Sequence, residues 1–170
     1  MDALIPQEID KAHERIFSLI IKTPLISSET INKKTNANVY FKLENLQWTG
    51  SFKLRGASNK ISLLSNEEKS RGIVSYSSGN HAQAVAYASK LFGVQATIIM
   101  PKNAPSIKIE NTKKYGADVV LYDSMHEGRE KIALEIARKE NKTIIKPYDD
   151  LDVIAGQGTV GKEIVEQLKL

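Results

Sequence analysis

The sequence predicts an α/β fold of parallel βαβ units, and three observations predict it. Short β-branched stretches bounded by turn residues alternate with longer stretches whose apolar residues recur every three or four positions. Alternation of this kind sets consecutive strands side by side with right-handed helical crossovers between them. The chain, at 170 residues and 41% hydrophobic, suits one ordinary domain or two small lobes and can bury a sizeable core.

Taken in order, an amphipathic helix is expected over residues 9–20 and an extended segment, NVYFKLE, over 38–44. The stretch TGSF then turns the chain into a helix over 52–64. Strands follow at 72–77, 95–100, 118–122 and 143–146, with helices between them at 81–92, 106–115 and 127–140. Gly93 is a left-handed stop after one helix, Gly116 ends another that begins near Pro105, and Pro101 closes a strand. The final stretch, DVIAGQGTVGKEIVEQLKL, reads as a helix running to Leu170. There is no internal repeat, low-complexity tract or linker, so any lobe boundary is a chain crossing, near 45–50 and again near 147–152.

Composition narrows the function classes. No apolar run approaches the roughly 18 to 20 residues of a membrane span, so no membrane partner is expected. The N-terminus has no basic region followed by an apolar core, and cytoplasm is the expected location. The absence of cysteine excludes disulfides and thiolate metal sites, and His13, His81 and His126 have no metal-ligand spacing, so no metal site is expected. The formal charge is +4, but the basic doublets are scattered and no aromatics interleave with them; no nucleic-acid partner is expected.

Two constellations carry chemistry. Lys53 falls in the first turn of its helix, where the helix dipole disfavours an ammonium, and partial burial pushes its pKa down in the same direction. A lysine that is neutral part of the time is a nucleophile for carbonyl groups; the alternative is an exposed lysine whose stem covers apolar surface. In SSGNH, residues 77–81, a strand gives way through Ser77, Ser78, Gly79 and Asn80 to a helix beginning at His81. The unpaired backbone N–H groups of that helix start and the two hydroxyls make a ready anion site, while the structural alternative has Ser78 or Asn80 merely capping the helix and His81 as an ordinary first-turn residue. The GQGTVG of Gly156, Gly158 and Gly161 matches a dinucleotide fingerprint only superficially, because too little sequence follows for the required acidic residue; a turn and close helix packing are the expected roles.

FKLENLQWTGSFKLRGA, SSGNHAQAVAYASKLFGVQATIIMP, YGADVVLYD and IAGQGTVGKEI, in this order, resemble successive motifs of the fold-type II enzymes (tryptophan synthase β-like) that use pyridoxal 5'-phosphate (PLP). Within them the chain is most similar to the serine racemase and serine/threonine dehydratase group. The resemblance implies a parallel open sheet with helices on both faces, and a division into an N-terminal part of a larger lobe (1–49), a small α/β lobe (50–147) and the start of the remainder of the larger lobe (148–170). It makes Lys53 the residue that condenses with PLP, Phe52 the neighbour packing beside the cofactor and Asn80 the partner of the pyridine 3'-oxygen. Ser77, Ser78, Gly79, Asn80 and His81 match the loop that holds the substrate carboxylate, and Arg129 matches a substrate-side arginine of the racemases. Ser78 matches the serine with which racemases exchange the α-proton on the face opposite the lysine. The implied reaction of the amino acid is loss of its α-proton, followed either by loss of the β-hydroxyl to give a 2-oxo acid and ammonia, or by reprotonation at Ser78 to give racemisation.

Members of that group are longer than this chain. The glycine-rich loop that cradles the PLP phosphate, a small polar residue opposite the pyridine nitrogen and the carboxylates for a divalent metal have no counterpart in the matched stretches. The expectation is therefore a truncated copy with weak or no activity alone, its uncovered apolar faces inviting a homo-oligomer or a complementing C-terminal chain. The alternative is a non-catalytic α/β module that binds an amino acid or a partner chain.

Overall fold

The computed structural model describes residues 6–126 and 128–169, and strand–helix alternation organises it. The described elements are α1 (Pro6–Ile16), β1 (Leu25–Ser27), α2 (Glu29–Thr35), β2 (Tyr40–Lys42), a 3-10 turn at Glu44–Leu46, α3 (Lys53–Ser62), α4 (Asn66–Arg71), β3 (Ile73–Tyr76), α5 (Asn80–Phe92), β4 (Ala96–Pro101), α6 (Ser106–Lys114), β5 (Asp118–Tyr122), α7 (Arg129–Glu140), β6 (Thr143–Ile145) and α8 (Leu151–Leu168). Four strands form one parallel sheet in the order β5-β4-β3-β6. β1 and β2 form a separate antiparallel pair.

The parallel sheet is covered on both faces, and the strand period of two sorts its side chains. Ile73, Ile98, Met100 and Ile145 pack toward α3 and α5, whereas Val74, Tyr76 and Ile99 pack toward Ala133, Ile132 and Ile136 of α7. β3 and β4 are accordingly buried at every position, while the edge strand β5 is not. α5 lies between the sheet and α3, so it is buried nearly all round; its alanines at 82, 84, 86 and 88 permit that close approach.

α3 is in turn clamped by α8. A Cβ added to Gly156 would lie 2.6 Å from both Arg55 O and Gly56 Cα, and one added to Gly56 would meet Gln157 Nε2 at 2.5 Å. The GQGTVG glycines thus sit inside a helix, which corrects the expectation of a turn; close packing holds at Gly156 and Gly158, and Gly161 faces open space.

Boundaries moved for local reasons. The first helix stops at Ile16 because the chain tightens there, Leu19 N donating to Ile16 O. The strand expected over 38–44 shortens to Tyr40–Lys42, since Glu44 already opens the 3-10 turn. β1, α2 and α4 are additions to the sequence reading. α4, six residues long, is too short to show periodicity, but Ser65 and Glu68 close a reciprocal capping box. Gly93 is left-handed as expected, Gly116 follows the Tyr115 cap of α6 at φ +93°, and Pro101 is the last residue of β4, opposite Tyr122. The Glu127 start expected for the helix before β6 and its counterpart at Leu170 both lie outside the described residues; α7 begins at Arg129, and Leu168 is the last residue of α8. No described helix is long and apolar enough to cross a membrane. Ile26, Tyr40, Phe41, Leu46 and Trp48 are exposed around the β1–β2 pair.

Candidate active site at the carboxyl ends of β3 and β6

The strand order locates the site. From β3 the chain winds outward to β4 and β5, then returns to place β6 on the other side of β3. In open α/β sheets such a reversal opens a crevice outside the carboxyl ends of the two diverging strands. Ser77 follows β3 directly, and Pro147 lies two residues past β6.

Lys53 reaches this crevice from the first position of α3. Gly50, at φ +71°, makes the preceding turn, its N–H donating to Gln47 O at 2.7 Å. The Lys53 amine, half-buried, donates to the Pro147 carbonyl at 2.8 Å and stands 5.4 Å from the centre of the Phe52 ring. Burial holds its pKa below the ordinary lysine value, in the direction expected from the sequence. Burial is one of the two causes anticipated.

On the facing side, Gly79 is the N-cap of α5, and neither Ser78 nor Asn80 caps it. Ser77 Oγ instead accepts from Gly79 N at 3.2 Å, and Asn80 Oδ1 accepts from Lys108 Nζ at 2.8 Å. Ser78 and Asn80 are exposed, so the turn offers its side chains and the start of α5 outward. His81 does the opposite. The residue is 3% exposed, and neither ring nitrogen makes a well-formed hydrogen bond, although the Ile145 carbonyl acts on the ring as an acceptor. Burial first, then the charge of Lys53, lowers its pKa to about 4; the Ile145 carbonyl, which already accepts Ser75 Oγ at 2.7 Å, offsets only part of this. His81 is neutral across the physiological range, which an ordinary first-turn histidine would not be.

Arg129, at the start of α7, lies 5.6 Å from the centre of the Tyr76 ring, on the last residue of β3. Burial raises the Tyr76 pKa, and Glu130 and Tyr148 push it the same way. Tyr76 and the Pro147 carbonyl were not legible as site groups, because their roles depend on strand order.

A buried ion cluster on the same helix was also missed. Arg55, fully buried, donates to Glu163 Oε1 and Glu44 Oε1, each at 2.7 Å, and Glu163 also accepts from Lys42. Burial pushes the Glu163 carboxyl up, but the hydrogen bonds from Arg55 and Lys42 outweigh it and hold the group below its ordinary value. The signal was an arginine two residues beyond Lys53 on a helix that must face the core.

The residues present suit PLP. Lys53 offers a partly desolvated amine, Phe52 an adjoining ring, and Asn80 an outward-facing amide. Thr49 Oγ1 and Ser51 Oγ, in the turn leading to Lys53, are buried without partners. Unmade bonds of this kind mark a place where a polar ligand completes the structure.

Comparison with known proteins agrees. The chain is 47% identical over 161 residues to the serine racemase of Schizosaccharomyces pombe, covering 95% of this chain and 50% of that protein. It is 49% identical over 162 residues to a catabolic L-threonine dehydratase of Staphylococcus aureus, covering 95% and 47% respectively. The solved structure of maize serine racemase superposes with a TM-score of 0.95 at 40% identity, over 99% of this chain and 51% of that one. The chain therefore spans about half the length of the relatives it matches, and the fold is that of the fold-type II PLP enzymes. A model of the family described as pyridoxal-phosphate dependent enzyme matches residues 16–170, and the chain belongs to that family.

Proposed function

We propose that this chain carries the Schiff-base lysine and the carboxylate-binding turn of a serine/threonine dehydratase or serine racemase, with residues 50–147 as the small lobe. The observation that carries this reading is the Lys53 amine itself, partly desolvated and held at the switch-point crevice by the Pro147 carbonyl. PLP, when bound, supplies the electron sink that lets an amino acid lose its α-proton. The chain's own part is to present an amine at Lys53, to hold the substrate carboxylate on the N–H groups at the start of α5 between Ser77 and His81, and to place Arg129 on the substrate side above Tyr76. Ser78, outward-facing on the same turn, returns a proton to the α-carbon in the racemase form of the reaction.

Small hydroxy amino acids, serine and threonine above all, are the proposed substrates. The phosphate cradle implied by the resemblance has no counterpart among the matched motifs, so residues 1–170 assayed alone are expected to release 2-oxo acid slowly or not at all. The deciding experiment is a visible spectrum with added PLP followed by borohydride reduction and peptide mapping. An imine band with reduction product on Lys53, both lost in Lys53→Ala, supports the reading; a folded chain left unlabelled at Lys53 overturns it.

A further inference from the structure

The Asn80 amide is oriented by a lysine that the proposed function does not use. Asn80 Oδ1 accepts from Lys108 Nζ at 2.8 Å, and an ammonium has hydrogens to give and no lone pair with which to receive. The oxygen of the amide is therefore the end that meets Lys108, and the two Nδ2 hydrogens are directed away from it. Lys108 is anchored well enough to impose this. It is half-buried in the first turn of α6, its N–H donates to Pro105 O at 2.9 Å, and its carbonyl accepts from the hydroxyl of the fully buried Thr112 at 2.7 Å. One turn further along both helices, Asn111 Nδ2 donates to Gln83 Oε1 at 3.1 Å, a second rung that keeps α6 in register with α5. Among the described residues none accepts from Asn80 Nδ2. The residue stands exposed on the turn that leads from β3 into α5, across the crevice from Lys53.

We propose that Lys108 is a positioning residue for cofactor binding: by holding Oδ1 it leaves Asn80 a hydrogen-bond donor only, which selects the 3'-oxygen of the pyridoxal ring in its anionic form. This rests on the Schiff-base reading of Lys53 and on Asn80 as the partner of that oxygen. An amide free to turn meets a ring oxygen with either end, Nδ2 when the oxygen is anionic and Oδ1 when it carries a proton. With Oδ1 taken by Lys108, only the first arrangement remains. The proton shared between the 3'-oxygen and the imine nitrogen of Lys53 is then driven onto nitrogen, where it makes the imine carbon more electrophilic. The bond from a charged donor also polarises the amide and strengthens Nδ2 as a donor. No covalent bond is made or broken in this step; one proton changes place.

The test uses the full chain with pyridoxal, which lacks the phosphate, and compares two absorption bands of the imine: the long-wavelength band of the form with an anionic oxygen and the short-wavelength band of the form with a protonated one. Lys108→Met frees the amide, whereas Lys108→Arg keeps a donor-only cation. The expected result is a ratio of long- to short-wavelength band that falls about threefold to tenfold in the methionine variant and stays close to wild type in the arginine variant. In an Asn80→Ala background, Lys108→Met should change nothing further, because the lysine acts through the amide. A methionine variant with the wild-type ratio, an arginine variant as low as methionine, or an undiminished fall in the Asn80→Ala background overturns the proposal. Nitrogen NMR of the chain without pyridoxal reads the hold itself: the Asn80 side-chain amide resonances move in Lys108→Met, and their staying still overturns the proposal. A wild type that forms no imine, or an imine that persists in Lys53→Ala, overturns the reading of Lys53 instead; failure at Lys108 alone leaves the imine present and dependent on Lys53.

Discussion

Two buried polar regions share helix α3 and obey opposite rules. Around Arg55, every charge has an opposite partner: Glu163 and Glu44 hold the guanidinium, and Lys42 adds bonds to Glu163, Gln167 and the Thr23 carbonyl. Around Lys53, two residues earlier, the amine has one carbonyl, while Thr49 and Ser51 keep buried atoms with none. Ser58, Gln83, Ser89 and Gln157 also leave an atom unpaired, but His81 is the one ionisable side chain among the described residues whose buried atoms make no well-formed hydrogen bond. A saturated cluster rigidifies a fold, whereas an unsaturated one stays ready for a ligand. The first region fixes α3 against α8, the 3-10 turn and β2; the second uses that fixity to hold Lys53 at the crevice.

The comparison breaks most visibly at Arg55. Arg55→Met strands two carboxylates, Glu163 with only Lys42 and Glu44 with only the Thr23 hydroxyl, and is expected to destabilise the chain by about 3 to 5 kcal/mol. Urea unfolding followed by circular dichroism reads this as a large fall in midpoint. Lys53→Ala, two residues away in the same turn, removes a half-buried amine with a single hydrogen bond, and its stability should stay within about 1 kcal/mol of wild type while imine formation disappears. Equal losses of stability in the two variants would erase the distinction between the regions.

His81 sharpens the contrast through pH. Its pKa is about 4 when folded against an ordinary histidine value of 6.5, so the unfolded chain binds the proton more readily. The native state therefore keeps its full stability above pH 6.5 and loses roughly 3 kcal/mol as pH falls toward 4. His81→Leu should flatten that limb, and at pH 7 it should gain about 1 kcal/mol by removing two buried nitrogens that make no well-formed hydrogen bond. Unfolding curves at half-unit pH steps test both. A wild-type profile that is level between pH 6.5 and 4.5 would mean that the ring finds a partner or water when charged.

Much of this was legible in the sequence because the relevant signals are local. The β-branched stretches at 72–77 and 95–100 and the periodic helices between them need no tertiary knowledge, and SFK and SSGNH carry their residue types in short runs. Other features depend on what the chain later meets. Neither Tyr76 nor Pro147 reads as a site group until β6 is known to pair with β3 rather than with β5. Arg55 and Glu163 lie more than a hundred residues apart, and only the α3–α8 packing brings them together. The expected cap at Ser78 or Asn80 failed for a related reason: Ser77 takes the Gly79 N–H and Lys108 takes the Asn80 amide, so tertiary partners win over the local one. β1 and α2 are short, and α2 buries none of its residues, so neither shows a hydrophobic pattern.

The smallest effects come from the glycines that imitate a nucleotide fingerprint, and they test whether α8 serves both regions at once. At Gly156 an added methyl would collide with backbone, Arg55 O and Gly56 Cα each at 2.6 Å, and with Asn59 Cβ at 2.8 Å. Backbone cannot rotate aside, so Gly156→Ala must push α8 off α3, at a cost of about 1 to 3 kcal/mol. Because that displacement moves Arg55 relative to Glu163 and α3 relative to Pro147, the variant should also weaken imine formation at Lys53, although no site residue has changed. Gly161→Ala meets nothing within 4 Å and is expected to stabilise α8 by just under 1 kcal/mol through helix propensity alone, leaving the imine band untouched. Thermal unfolding with and without pyridoxal separates the two glycines. If both substitutions raise the melting temperature, the helices have room to spare, and the rigidity credited to the saturated cluster does not depend on α8 lying against α3.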